Sequence, residues 1–329
     1  MERYKPPFEI TNKILNSVAS ISEKLGKIKT WRTLERQPHL RRNNRIQSVH
    51  SSLKIEANSL SLDNVRDVLN DRVVIGPAKE IREVKNAFAA YDQIDTIDPY
   101  SLDDLLRLHS VMTHLTVEES GVFRSGAEGV YRGGVCVHIA PPPEMVSSLM
   151  RQLFGWMVNQ SEEIHPLILS SIFHYEFVFI HPFSDGNGRM ARLWQTALVS
   201  KWNPLFQYIP IESQVERFQD GYYEAIAIST NQGNSTVFVE FMLDRIDEVL
   251  DRVIAQEHAG DVQTEQVRRL LAAMEYDTPY TATSLMKLLN LKSRDALRNN
   301  YLNPAIEEGL IQMTMSDKPT SRNQRYIKK

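Results

Sequence analysis

The sequence is poor in the residues that would mark an unusual class of protein. Cysteine occurs once in 329 residues, as Cys136, so no intrachain disulfide can form and a four-cysteine zinc site is excluded. Glycine (14) and proline (15) are too few for a low-complexity or collagen-like chain. An excess of one charge sign is missing as well. The 38 basic and 41 acidic side chains leave a formal −3, which argues against wholesale nucleic-acid binding, although a local patch can hide within that total. The most apolar stretch, 166–180, is interrupted by His174 and Glu176 and is too short to span a bilayer. The opening Met1–Pro7 lacks the apolar core of a signal peptide, so a cytoplasmic protein without membrane contact is expected. What is present, 42% hydrophobic and 24% charged residues, is a globular composition, and the length favours two or three domains.

Most of the chain reads at helical period. Ile10, Ile14, Leu15, Val18, Ile21 and Leu25 recur every three or four residues and stop at Gly26, a natural helix end. Similar stripes run through 62–69, 81–91 and 102–112, the last behind Ser101 as N-cap. Others follow Pro143 and fill 166–180, 189–202, 215–228 and 237–255. In the first 260 residues strand-like alternation is best at 130–139, where Val135, Val137 and Ile139 follow Gly133-Gly134, a hairpin signal. Pro141-Pro142-Pro143 ends that stretch, and its last proline is placed to open a helix. A mainly α protein with one small β-hairpin is expected.

A boundary falls near Gly260. Residues 261–329 carry eleven Lys/Arg against eight Asp/Glu, a net +3, which leaves −6 for the rest. The tail reads as helix 264–276, short helix 284–289, turn at Asn290, helix 293–308, strand-like 310–315, a polar turn at 317–323 and Arg325-Tyr326-Ile327. That order resembles a winged helix-turn-helix domain, and both DNA binding and a protein contact stay open for it.

One segment stands apart: His181-Pro182-Phe183-Ser184-Asp185-Gly186-Asn187-Gly188-Arg189-Met190-Ala191-Arg192. It joins two apolar helices by a glycine-bearing loop. Without side chains at Gly186 and Gly188, backbone N–H groups can close around an anion, and the following helix adds its unpaired N–H groups and positive dipole end. Arg189 and Arg192 lie three apart on the first turns of that helix. Two cations at the positive end of a helix are poorly placed for helix stability, a conflict that a bound polyanion would resolve. Asp185 supplies the hard oxygen that magnesium requires, and His181 has an ordinary pKa near 6.5, suited to general-base work.

This segment matches every fixed position of the signature His-x-Phe-x-(Asp/Glu)-Gly-Asn-Gly-Arg-x-x-Arg, and the chain therefore resembles the Fic family over roughly residues 45–250. The resemblance implies a Fic helical core with a small β-hairpin flap and transfer of AMP from ATP to a Ser, Thr or Tyr hydroxyl of a target protein. On that pattern His181 would deprotonate the hydroxyl, and Asp185 would hold Mg2+. Gly186, Asn187 and Gly188 would form the anion hole, Arg189 would contact phosphates, and Arg192 would hold the γ-phosphate. Met190 and Ala191 complete the nucleotide-binding stretch. Relatives that transfer phosphate carry Lys where Gly188 stands, so AMP is the favoured cargo.

Upstream, Ser52 and Glu56 lie four apart, on one face of a helix, within Ser51-Ser52-Leu53-Lys54-Ile55-Glu56-Ala57-Asn58. The run resembles the family's inhibitory motif (Ser/Thr)-x-x-x-Glu-(Gly/Asn), with Ala57 departing from it. By that resemblance Glu56 pairs with Arg192 and blocks the γ-phosphate position. The parts expected are an N-terminal helical region 1–100 with its inhibitory helix near 45–60, a Fic catalytic core 101–255, and the winged-helix-like domain 261–329. The hairpin at 130–139 resembles the family's flap, which pairs with an extended segment of the target and places Val135, Cys136, Val137 and His138 beside the nucleotide. Tyr222 and Tyr223 would line adenine and ribose. The resemblance leaves room for self-modification, a homodimer, removal of AMP from the same target, and a regulator that binds DNA through its tail while the core senses nucleotide. His174, on the apolar helix before the signature, reads as a satisfied core histidine.

Overall fold

The computed structural model describes residues 4–28, 38–132, 135–261, 264–274, 278–315, 321 and 323–328, with backbone alone at 38–40, 130–132, 135–137 and 255–261. The chain divides into two compact units, residues 1–254 and 255–329, and is mainly helical.

In the first unit, α1 (Asn12–Lys27) starts at Thr11, whose hydroxyl accepts from the Ile14 amide. Helix α2 (Pro38–Ile55) is visible in the sequence only around the Ser52/Glu56 spacing. Its inward face is part polar: Ser48, Ser51 and Ser52 are buried beside Ile46, Val49 and Leu53, which erases the apolar stripe that periodicity detects. The helix ends on Asn58 N–H to Leu53 C=O at 3.1 Å and Ala57 N–H to Lys54 C=O at 3.0 Å. That pattern requires Ala57 to take a left-handed conformation, φ 64°.

Helices α3 (Leu62–Leu69), α4 (Ala78–Tyr91) and α5 (Leu102–Met112) follow, with Ser61 and Ser101 as side-chain caps for α3 and α5. Strand β1 (Gly129–Arg132) pairs antiparallel with β2 (Val135–Ile139), Gly129 opposite Ile139. The Gly133-Gly134 turn and the side chains of Val135, Cys136 and Val137 lie outside the described residues. Pro143 opens α6 (Pro143–Gln160).

The centre of the unit is α7 (Pro166–Ile180) packed on α8 (Asn187–Trp202). A 3₁₀ turn (Pro204–Tyr208), α9 (Ile211–Arg217), α10 (Gln219–Gln232) and α11 (Thr236–Asp261) complete the order. The single stripe at 215–228 is therefore two helices, because Phe218 leaves helical geometry at φ −111°, ψ 37°. Trp194, Phe173, Phe177, Phe183 and Phe238 are fully buried, so α7 is covered on all sides and its charged and polar members must find partners inside. The first hundred residues share this core: Ile14, Ile21, Val49, Leu53 and Val84 belong to the same buried cluster as Trp194. Among the described residues no helix is long and apolar enough to cross a membrane.

The second unit has its own core of Val267, Leu270, Leu285, Leu297, Tyr301, Leu302 and Ile311. Helix α12 (Glu265–Ala273) is shorter than its pattern; residues 275–277 lie outside the described residues. Helix α13 (Ala282–Leu288) is followed by Asn290 at φ 53° and then α14 (Arg294–Leu297). A π turn, Arg298–Leu302, joins α14 to α15 (Asn303–Glu307); Pro304 offers no N–H, and the Asn303 amide reaches back five residues to Arg298. Strands β3 (Ile311–Met313) and β4 (Tyr326–Lys328) pair antiparallel, with Met313 opposite Tyr326.

Candidate active site

The signature segment becomes a tight loop between α7 and α8. Helix α7 ends where His181 enters the left-handed region (φ 52°) while its N–H still reaches Phe177 C=O; Pro182 has no N–H with which to continue the helix. Asn187 closes the loop from the far side. Its Oδ1 accepts from the Phe183 amide at 2.9 Å and its Nδ2 donates to Phe183 C=O at 2.7 Å. Gly186, at φ 84°, then turns the chain into α8. A Cβ there would be strained by that φ and would also press on Thr113 Cγ2 at 3.1 Å.

His181 is half-buried, and burial pushes its pKa below the ordinary imidazole value. Its Nδ1–H donates to Val178 C=O at 3.4 Å, which leaves Nε2 with a free lone pair. Asp185 is half-exposed. Burial would raise its pKa, but Arg189 and the Gly186 amide outweigh that and hold it low. Its Oδ1 accepts from Arg189 Nη2 at 2.7 Å and Gly186 N–H at 2.5 Å, while Lys79 Nζ stands 3.8 Å from Oδ2. One carboxylate oxygen thus stays available to a hard cation, which fits Mg2+ bound by one carboxylate plus phosphates.

Arg189 is buried, and its Nε and Nη1 have no hydrogen-bond partner; Glu83 Oε1 stands 3.5 Å from Nη1, an ion pair without a hydrogen bond. Two unpartnered nitrogens on a buried guanidinium are what phosphate oxygens would satisfy. Met190 and Ala191 are fully buried, and the Met190 amide is spent on Gly186 C=O at 2.9 Å, so both pack α8 against the core.

Arg192 carries the main polar contact of the site. Nε donates to Ser52 Oγ at 3.0 Å, and Nη2 donates both to Ser52 C=O at 2.9 Å and to Glu56 Oε1 at 2.7 Å. Burial alone would weaken the guanidinium as a base, yet Glu56 more than compensates and its pKa stands above the usual value. The Glu56 carboxylate also lies over the first turn of α8, since a Cβ added at Gly188 would collide with it. The N-terminus of α8 therefore already faces an anion, supplied by the chain itself.

Tyr222 is buried, with its hydroxyl donating to His174 Nε2 at 2.9 Å and lying against Arg192; Tyr223 is half-buried and packs edge-on to it. His174 donates Nδ1–H to Gln195 Oε1 at 2.6 Å, and burial drives its pKa down to about 3. It is a fully satisfied core histidine. His138, on β2, donates Nε2–H to Phe179 C=O at 2.7 Å and so fixes the hairpin to the end of α7.

Three further residues hold the site together. Arg124 is buried and donates to the carbonyls of His181 (2.7 Å), Gly126 (2.7 Å) and Pro141 (2.5 Å), which ties the loop to both ends of the hairpin. His109 stacks on Phe183 at 3.6 Å, donates Nε2–H to Asp185 C=O at 3.0 Å and accepts the Gly121 amide at 2.9 Å; burial lowers its pKa to about 4. Glu83 accepts from Asn58 Nδ2 at 3.1 Å and faces Arg189, joining the end of α2 to the signature. His109 sits on an apolar stripe with Leu105 and Met112, which is a legible signal for a buried polar group; Arg124 and Glu83 carry none.

Comparison with known proteins gives the family. Residues 99–199 match the Fic/DOC family, and 265–327 match the "Filamentation induced by cAMP protein Fic-like, C-terminal domain". A solved Fic family protein from Desulfovibrio desulfuricans is 42% identical and covers 99% of this chain and 98% of its own, with a TM-score of 0.75. The protein adenylyltransferase Fic of Culex quinquefasciatus is 34% identical over 215 residues, 63% of this chain and 41% of that protein. Its counterpart in Nematostella vectensis is 28% identical over 246 residues, 71% of this chain and 54% of that protein. The chain thus spans about half the length of these curated relatives or less. It belongs to the Fic family.

Proposed function

We propose that the protein is an adenylyltransferase that moves AMP from ATP to a Ser, Thr or Tyr hydroxyl of a target protein, and that Glu56 holds it in check. The observation that carries this reading is the convergence at one helix N-terminus of an acceptor imidazole, a half-exposed carboxylate and two buried arginines. His181 Nε2, neutral near pH 7, takes the hydroxyl proton as the oxygen attacks the α-phosphorus and pyrophosphate leaves. The free N–H groups of the first turn of α8 and the unsatisfied N–H groups of Arg189 receive the phosphate charge. Asp185 Oδ2 would hold Mg2+, which supplies charge neutralisation between phosphates. Glu56 occupies the Arg192 guanidinium that a γ-phosphate would need, so ATP is kept from its productive seat. An extended segment of the target would pair with the hairpin 129–139. Family names of relatives, at 28–34% identity, support the reaction class.

The test is incubation with ATP labelled at the α- or the γ-phosphate. Label is expected on protein from the α-position only, and His181→Ala is expected to abolish it. Label from the γ-position would instead indicate phosphate transfer. Release of AMP from already modified protein would instead indicate hydrolysis of the AMP–protein bond, in which Glu56, whose charge acts on His181, would orient the attacking water.

A second reading concerns the C-terminal unit. The segment after the Asn290 turn, from Lys292 through α14 and the π turn to the start of α15, exposes Lys292, Arg294, Arg298, Asn299, Asn300 and Asn303, groups suited to phosphates and to base edges in a major groove. A salt-dependent titration of the full chain with duplex DNA tests it, and absence of binding at low salt ends it.

A further inference from the structure

Behind the site lies a carboxylate that the reaction does not use. Glu212, on α9, is 2% exposed and forms no ion pair with Lys or Arg among the described residues. Three hydroxyls hold it instead, each from a different helix. Ser48 Oγ of α2 donates to Oε2 at 2.8 Å; Tyr91 Oη of α4 and Thr196 Oγ1 of α8 donate to Oε1 at 2.9 and 3.0 Å. Burial and the neighbouring Glu212 charge raise the Tyr91 pKa well above its usual value, so the phenol stays a donor.

A charge buried without a counter-ion is a poor source of stability, and a well-packed apolar side chain would serve packing better. What Glu212 does is join helices. Ser48 and Ser52 are four apart on one face of α2, and Glu56, four further on, follows directly after its last residue in the closing turn. Ser48 is held by Glu212, and Ser52 and Glu56 by Arg192. Thr196, four residues after Arg192 on α8, is held by the same Glu212. The carboxylate is therefore shared between the helix that carries the brake and the helix that carries the phosphate-binding arginines. Its neighbours on the following turns also engage α2: Glu216 pairs with Lys54 at 2.8 Å, and Gln219 Nε2 donates to Ile55 C=O at 3.0 Å.

We propose that Glu212 is a positioning residue that latches α2 to α8 through Ser48 and Thr196, and so keeps Glu56 in the blocking position. The latch rests on the reading of Glu56 as the brake. Release of α2 costs Glu212 one of three charge-assisted hydrogen bonds in a site that water reaches only as the helix leaves. The Lys54–Glu216 pair, with Lys54 56% exposed, contributes little to the same hold.

The experiment uses the full chain as wild type, Ser48→Ala, Glu56→Gly, the double variant and Lys54→Ala, each assayed for α-phosphate labelling. Amide hydrogen exchange is measured on wild type and Ser48→Ala. Ser48→Ala is expected to raise labelling about tenfold, the loss of one hydrogen bond to a charged group. Lys54→Ala should change it less than about twofold. In the Glu56→Gly background, Ser48→Ala should add nothing, because no brake remains to release. Exchange should quicken across 44–56 and stay unchanged in α7 and α8. Should Glu56→Gly activate while Ser48→Ala leaves both labelling and exchange unchanged, the latch is wrong and the brake survives. Equal effects of Ser48→Ala with and without Glu56 would mean a general structural role and overturn the latch. If Glu56→Gly fails to activate, the brake reading falls and the latch with it.

Discussion

Removing the Glu56 carboxylate tests the central contact of the site, and the structure sets the scale of the effect. In Glu56→Gly, Arg192 loses a 2.7 Å bond to a carboxylate but keeps its 3.0 and 2.9 Å bonds to Ser52, so the guanidinium is not stranded. A hydrogen bond to a charged group is worth about 1.5–3 kcal/mol, and the 38% exposure of the Glu56 side chain places this one toward the lower end. The apo protein should therefore lose about 1.5 kcal/mol, a fall in Tm of about 3–6 °C. The same free energy no longer opposes ATP. A shift of about 1.5 kcal/mol changes the blocked-to-open ratio by about tenfold, and labelling from α-labelled ATP should rise by that order. Saturating ATP should also raise Tm more in Glu56→Gly than in wild type, since ligand stabilisation follows affinity. Glu56→Gln, which keeps a neutral hydrogen bond, should fall between the two. Unchanged labelling together with an equal ATP-induced Tm shift in wild type and Glu56→Gly would refute the reasoning.

Other consequences can be measured on the same protein. Because burial lowers the His181 pKa, the base stays neutral through pH 7, and the acid limb of the rate profile should lie below pH 6.5; a limb above 6.5 would remove His181 as the base. Ala57 holds a left-handed conformation that glycine adopts freely, so Ala57→Gly should stabilise the apo chain by about 1 kcal/mol and tighten the brake; a lower denaturation midpoint would contradict this. His109, with its pKa lowered to about 4, stays neutral in the folded chain while the unfolded chain takes up a proton near pH 6.5. Stability should therefore be complete above pH 6.5 and fall as the pH drops toward 4, by about 2 kcal/mol between pH 7 and 5 for this group; an unchanged denaturant midpoint over that range would refute it.

The signature loop was legible from residue order because its geometry is local. Pro182, Gly186 and the helix start at Asn187 act within a few bonds of one another, and the resemblance of 181–192 to a family signature rests on the same contiguous stretch. The apolar helices were legible for a similar reason, since a helix buried along one stripe writes that stripe at period 3.6. The division at Phe218 escaped because apolar residues continue on either side of it. Helix α2 was nearly silent: the face it buries is serine-rich, and buried polar contacts leave no periodic mark.

What the amino-acid order determined by itself, then, was a mainly helical chain with a glycine-bearing loop at a helix N-terminus and a family to compare it with. Only the tertiary structure decided which distant groups meet that loop. Glu56 reaches Arg192 across 136 residues, Ser48 reaches Glu212 across 164, and Arg124 reaches back to the His181 carbonyl across 57. Such pairings depend on the packing of whole helices around a shared core, a property of the summed burial of many side chains and not of any local spacing. The chemistry of this site is written in twelve consecutive residues, whereas the contacts that would restrain it exist only once the core has closed.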